Sequence, residues 1–353
     1  MALMTNPPLP SFAPLSLSRR AALRRLGLAG LAAALAPGAL RGETAETKPA
    51  ATPAAPSLAG AQPGHYRLKI GDLEAIALSD GAFEAPADAS PFGVGEAPGA
   101  VARGLEAALL PSAAVHVPFN VLLVRVAGEL VLVDAGCGTA FGPAGGQLVS
   151  RLAEAGVAPG QISAIILTHA HGDHHGGLLK GDGTEAAFPN ARVFVSRREH
   201  AFWTQTSPDV SGMAVPVESA QGAVAGAQKM FAALKDRLEL VAGGDRILEG
   251  IELLDTPGHT PGHLAVLFSS GREQLLHFAD AAHHHALSFA HPSWRFAFDA
   301  DGALAADTRR KLLDRAAADR LRLFGAHMPF PALGRVRTAG SAYEFVLEPL
   351  RVA

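Results

Sequence analysis

The chain of 353 residues is 48% hydrophobic, carries a formal charge of −3 and has a single cysteine, Cys137. That apolar content over that length can fill a large core, which excludes a disordered or fibrous chain. That charge balance argues against a nucleic-acid partner, whose phosphates need a basic face, and one cysteine rules out an intrachain disulfide framework and a multi-cysteine zinc site.

At the N-terminus, Arg19 and Arg20 precede a modestly apolar Gly/Ala/Leu run, Leu26 to Leu35, too short to span a bilayer comfortably. This stretch resembles a Tat export signal, so residues 1–42 are expected to be a signal peptide and the protein to be periplasmic or secreted, touching a membrane only through that signal. Tat carriers move proteins that have already folded. Residues 43–63, rich in Ala, Pro and Thr, are expected to be a mobile linker. Residues 64–353 remain as the folded domain.

Within it, Tyr66–Ile70 and Leu73–Leu78 have strand patterns parted by Gly71-Asp72, and a Gly/Pro/Ala-rich loop is expected from Ala82 to Gly99. Val115–Val126 and Leu130–Val133 form an expected strand pair, turning at Ala127-Gly128-Glu129 and ending in Asp134. Gly145–Ala155 has helical spacing, with Gly156 placed to end it. Ile165–Leu167 is an apolar run typical of a buried strand, and Val193–Val195 a further strand. Residues 198–240 look mainly helical, interrupted at Ser207-Pro208-Asp209. Ile251–Leu254, the pair Leu264–Phe268 and Leu275–Phe278, a helix near Asp307–Asp319 and a strand at Leu323–Phe324 complete the order. Strands alternating with helices twice over argue for one layered α/β body.

The chemistry concentrates at strand ends. After Leu167 the chain reads Thr-His-Ala-His-Gly-Asp-His-His-Gly-Gly, placing His169, His171, Asp173 and His174 within six residues. Neutral imidazole and carboxylate are the donors that zinc and similar ions accept, and one strand-to-loop turn can aim several of them at one point. The two glycines that follow, Gly176 and Gly177, are expected to permit a sharp turn. Each later strand also ends in a metal-ligand type: His259, then Asp280, then His327.

This set resembles the metallo-β-lactamase fold superfamily, whose pattern of an early acidic residue, His-x-His-x-Asp-His, a later His, a bridging Asp and a last His is matched by Asp134, His169 to His174, His259, Asp280 and His327. The resemblance implies a four-layer αββα sandwich with the site at one edge between its sheets. It implies two divalent ions, with zinc expected: His169, His171 and His259 on one, Asp173, His174 and His327 on the other, Asp280 bridging both, and Asp134 orienting a ligand histidine. Asp173 and Asp280 would then serve catalysis, in a hydrolysis that uses activated water and no protein nucleophile. Cys137 is read as packing.

Short stretches such as Phe141-Gly142-Pro143, Phe202-Trp203 and Ala326-His327 look like the methyl parathion hydrolase group and related lactonases, whose tyrosine three residues past the bridging aspartate is here His283. The open question is whether His283 takes that catalytic role. The expected activity is hydrolysis of small esters or lactones, with phosphotriesters as a further substrate class and a β-lactam hydrolase or a non-catalytic metal-binding scaffold as alternatives. Among Phe119, Trp203, Phe231, Phe289 and Trp294, Phe119 and Trp203 are the favoured substrate contacts at an apolar mouth. A homodimer is expected by analogy only.

Overall fold

Apolar runs without alternation belong to strands covered on both faces, and the strands that lead to the site are of this kind. In the computed structural model, which describes residues 64–181 and 183–351, Glu129–Val133 turns Val131 and Val133 into one core and Leu130 and Leu132 into another. Ala164–Leu167 does the same, with Ile166 on one side and Ile165 and Leu167 on the other. The signal and linker expected over residues 1–42 and 43–63 lie outside the described residues.

The first sheet has seven strands in the order His65–Ile70, Leu73–Pro86, Ala114–Val126, Glu129–Val133, Ala164–Leu167, Arg192–Ser196 and Leu238–Val241. Its last four run parallel to one another. The second has seven in the order Ala342–Leu347, Leu333–Ala339, Arg322–Phe324, Glu273–His277, Leu264–Ser270, Ile251–Asp255 and Arg246–Leu248. Between the sheets lies a core that includes Leu122, Val133 and Ile166 from one side and Leu253, Val266 and Phe324 from the other. Helices Leu148–Glu154, Arg197–Trp203 and Val217–Leu234 cover the outer face of the first sheet, burying Leu152, Trp203 and Phe231 against it. Helix Gly302–Ala318 covers the second with Leu312, Leu313 and Ala316. The four layers are helix, sheet, sheet, helix, as the α/β reading required.

Local differences from the sequence reading have physical reasons. The loop expected from Ala82 is strand as far as Pro86, because Leu73–Pro86 pairs along nearly its whole length with Ala114–Val126, passing an irregularity at Ser79 to Gly81 where Gly81 has φ +128°. Residues Leu238–Val241 form a strand where helix was expected, since they complete the parallel edge beside Arg192–Ser196. The last helix starts at Gly302, earlier than its apolar spacing indicates, because the Asp301 carboxylate accepts hydrogen bonds from the backbone N–H groups of Ala303 and Leu304. A hairpin, Leu333–Ala339 with Ala342–Leu347, follows His327 and was not anticipated.

Candidate metal centre

Strand direction brings the site together. Glu129–Val133, Ala164–Leu167 and Arg192–Ser196 are parallel, so the segments after them, carrying Asp134, His169 to His174 and Glu199, leave the same edge of the first sheet. In the second sheet, Ile251–Asp255 and Glu273–His277 each pair antiparallel with Leu264–Ser270, and Glu273–His277 is parallel to Arg322–Phe324. All three therefore also end at one edge, delivering His259, Asp280 and His327. The edges are joined by backbone hydrogen bonds from Leu264 N to Thr168 O (3.0 Å) and from Asn120 N to Ala326 O (2.8 Å). The Asn120 amide also donates to Ala326 O and Met328 O at 2.9 and 2.8 Å, clamping the His327 segment to the first sheet.

Three groups of donor atoms, each within 4.8 Å of one another, result: His169 with His171 and His259; Asp173 with His174, Asp280 and His327; and His259 with Asp280 and His283. The carboxylate of Asp280 lies among them. Its Oδ1 is 3.2 Å from Nε2 of both His174 and His327, while its Oδ2 is 3.7, 3.4 and 3.4 Å from Nε2 of His169, His259 and His283. Oδ2 also comes within 3.2 Å of His327 Nε2. Asp173 Oδ2 stands 3.6 and 3.5 Å from the His174 and His327 nitrogens, with its side chain 17% exposed, whereas every histidine in these groups is buried.

Hydrogen bonds behind the rings fix their tautomers. Nδ1 of His174 faces Asp134 Oδ2 at 2.7 Å, Nδ1 of His259 faces Asp299 Oδ1 at 2.9 Å, and Nδ1 of His327 faces Pro118 O at 2.8 Å. These partners accept from Nδ1, so each ring turns its Nε2 to the centre as the nitrogen available to a cation. Thr168 Oγ1 donates to Asp134 Oδ2 at 2.9 Å and so accepts from His169 Nδ1 at 3.1 Å, which puts His169 in the same state. His171 turns Nδ1 toward His259 Nε2, 2.9 Å away.

Burial pushes the protonation of His169, His171 and His259 well below the ordinary histidine range. At His174 burial pushes the same way, but Asp280, Asp173 and Asp134 outweigh it and raise its pKa; His327 is raised likewise, chiefly through Asp280. Nε2 of His169, His174 and His283, with Oδ1 of Asp280, are buried and have no hydrogen-bond partner. A buried polar atom left unpaired costs about 1–3 kcal/mol, so converging several of them makes physical sense where cations are to be held. The donor set of imidazole and carboxylate fits divalent ions of the zinc type.

Several supporting residues were not picked out from the sequence. Glu199, fully buried, accepts from Ala170 N (2.9 Å), Trp203 Nε1 (2.6 Å), Thr260 Oγ1 (2.7 Å) and Gly262 N (3.0 Å), tying the His169 loop to the His259 loop. His263 Nε2 accepts from the backbone N–H of Asp280 at 3.1 Å, and its Nδ1 bonds Thr256. The repeated Thr-Pro-Gly-His of residues 256–263 was the available signal: its first histidine joins the donor group and its second holds the backbone of Asp280. Asp299 had no such signal, lying in an aromatic stretch far along the chain. Asp80, also buried, accepts from the N–H groups of Cys137, Gly146 and Leu148 and so orders the loop after Asp134.

The aromatic expectations need correction. Trp203 is fully buried, spends its indole N–H on Glu199 and packs edge-on behind His171, so it stands behind the donors and not at a mouth. Phe119 is likewise buried, edge-on to His327. Phe231 packs under the helices, and Phe289 packs against Phe278 and Phe345. Trp294 stacks on His291. The half-buried rings beside the donors are instead Phe83 and Phe141, both packed on Phe119, with Phe296 on His283 and Phe298 by His171. Long-range pairing decides which ring faces outward, and composition does not carry that information.

The geometry can be set against known proteins. The protein YobT of Bacillus subtilis (strain 168), itself uncharacterized, is 32% identical over 151 residues, 42% of this chain and 57% of its own length. An N-acyl homoserine lactonase of a Bacillus species is 26% identical over 124 residues, 35% of this chain and 40% of its own length. The match thus spans about half, or less, of these curated relatives. AidC, a dizinc quorum-quenching lactonase solved in complex with a product, superposes with a TM-score of 0.78 at 29% identity, covering 82% of this chain and 99% of that one. Residues 117–327, which hold every donor described above, match the profile of the metallo-beta-lactamase superfamily, and to that superfamily the chain belongs.

Proposed function

We propose that the protein is a hydrolase that works with two divalent ions, zinc in the first instance, and opens lactones and cleaves small apolar esters. The observation that carries this reading is the division of Asp280, whose Oδ1 faces His174 and His327 while Oδ2 also faces His169 and His259, as a carboxylate shared between two ions requires. When bound, such a pair polarises a carbonyl oxygen and lowers the pKa of water from 15.7 toward about 7.

The residues of the chain divide the remaining work. The histidine lone pairs, fixed by Asp134, Asp299, Thr168 and Pro118 O, keep the donor set in place without rearrangement. Asp173, the most exposed carboxylate of the set, is placed to orient the attacking water and accept its proton. In lactone opening the water oxygen bonds to the carbonyl carbon, the ring C–O bond breaks, and that proton passes to the departing ring oxygen, giving a hydroxy acid. Phe83, Phe141, Phe296 and Phe298 offer apolar surface to an acyl or aryl group.

The site offers little to a phosphate monoester. No Lys or Arg lies in residues 168–178 or 256–264, and the buried Arg309 is occupied by Ala281 O, Pro292 O and Trp294 O. Kinship with lactonases supports the same ordering of substrates. The test is metal analysis of the purified protein with a hydrolysis panel. Close to two ions per chain, turnover of lactones and aryl esters, weaker turnover of neutral phosphotriesters and almost none of monoesters are expected. One ion per chain with no gain on adding zinc, or efficient monoester hydrolysis with lactones untouched, would overturn the reading; strong β-lactam turnover would replace lactones as the substrate class.

A further inference from the structure

Of the five histidines in the first two donor groups, four have an acceptor behind the ring: Thr168 Oγ1, Asp134, Asp299 and Pro118 O stand behind His169, His174, His259 and His327. Among the described residues, His171 has none. Its Nδ1 is turned to His259 Nε2, and its Nε2 is buried without a hydrogen-bond partner. Packing holds this ring instead. Trp203 and Phe298 meet it edge-on, with centroids 5.7 and 6.0 Å away and planes at 75° and 67°. Trp203 is held in turn by Glu199, about one helical turn before it, whose Oε1 accepts the indole N–H at 2.6 Å.

Glu199 reaches the same donor group from two further directions. Oε1 also accepts from Ala170 N at 2.9 Å, between His169 and His171, and Oε2 accepts from Thr260 Oγ1 at 2.7 Å and Gly262 N at 3.0 Å, just past His259. The His259 loop is pressed so close to the helix that a Cβ on Gly262 would lie 2.1 Å from Glu199 N. The second donor group is held by other residues: Asp134 and Ala135 N grip His174, while Pro118 O and the Asn120 amide grip the His327 segment. We infer that Glu199 is a positioning residue for one of the two ions, that of His169, His171 and His259. It fixes His171 through Trp203 and sets the spacing of the His169–His171 and His259 loops. This rests on the two-ion reading above and deepens it, since the two positions then take their affinities from separate supports, one of which touches neither ion.

The test is Glu199→Gln, which keeps the shape of the side chain and removes one of its two accepting ends. Ala170 N, Trp203 Nε1 and Gly262 N can only donate, so whichever way the amide turns, its NH2 meets an N–H on one arm and that arm is released. Protein labelled with ¹⁵N-histidine is titrated with zinc against a chelator, and the imidazole nitrogen shifts, assigned in the zinc form, report which rings are bound at each step. The expected result is a hold on zinc weaker by roughly 10- to 100-fold at the position of His171 and His259, with His174 and His327 filling at the same free zinc as in wild type. A carboxylate that merely supports the fold would weaken both positions alike. Should Glu199→Gln fail to fold, Thr260→Val decides: it keeps a branched side chain, cuts only the hydroxyl bond to Oε2, and should weaken the same position and spare the other. Wild-type affinity at both positions, an equal loss at both, or a loss confined to His174 and His327 would overturn the inference while leaving the two-ion reading intact. A wild-type protein that holds fewer than two ions would instead bring down the two-ion reading itself.

Discussion

At the level of single residues, the site separates groups that face the centre from groups that hold those groups still, and substitution should distinguish them. Asp280→Ala removes the carboxylate that faces both donor sets, and turnover should fall at least about a hundredfold, with one ion or both lost in metal analysis. Asp134→Ala leaves every facing donor present but takes the acceptor from His174 Nδ1 and from Thr168 N and Oγ1. Its expected signature is a roughly 10- to 100-fold weaker hold on metal, recovered in activity assays by excess zinc. A wild-type zinc affinity in Asp134→Ala would show that the ring needs no support from behind. The facing residues were readable from sequence because each follows a strand and the residue types are chemically narrow. Glu199, Asp299 and His263 were not, because what marks them is the partner they reach across the fold.

Among the elements, the glycines after the histidine cluster teach the most. The sequence reading took Gly176 and Gly177 as a device for turning sharply, yet Gly176 has ordinary helical angles, φ −58° and ψ −32°. What forbids a side chain is proximity: a Cβ on Gly176 would lie 2.2 Å from Cys137 O, and one on Gly177 only 2.0 Å from Ala135 O. The short helix Gly172–His175 and the turn after it are pressed against the loop that carries Asp134, and Ala135 N donates to His174 O at 2.8 Å. Gly177→Ala should therefore push this helix off its loop, costing about 1–3 kcal/mol as an overpacked substitution does and lowering both melting temperature and metal content. An unchanged melting temperature would show the contact to be soft. Strand and helix identities were largely legible from apolar periodicity. The long reach of Leu73–Pro86 and the hairpin after His327 were not, since each depends on a partner strand distant in the chain.

Over the whole molecule, buried histidines away from the facing nitrogens should make stability depend on pH. Burial, first among the causes in each case, depresses His263 and His277 to about 4 from an ordinary value of 6.5. Between about 6.5 and about 4 the unfolded chain binds protons that the folded chain refuses, so the folded state loses stability as pH falls through that window and loses no more from these groups below it. Melting temperatures that stay flat from pH 7 to pH 4 would contradict this. The inter-sheet hydrogen bonds from Asn120 to Ala326 and from Leu264 to Thr168 have a thermodynamic counterpart. The donors for one cation come from both halves of the sandwich, so a chain whose sheets have come apart offers no complete cage, and cation binding and sheet docking are linked equilibria. Free zinc at 100 times its dissociation constant would add about 2.7 kcal/mol to the docked state, which makes the melting temperature a titratable quantity that rises with the logarithm of free zinc and drops when a chelator strips the rivet from the two sheets.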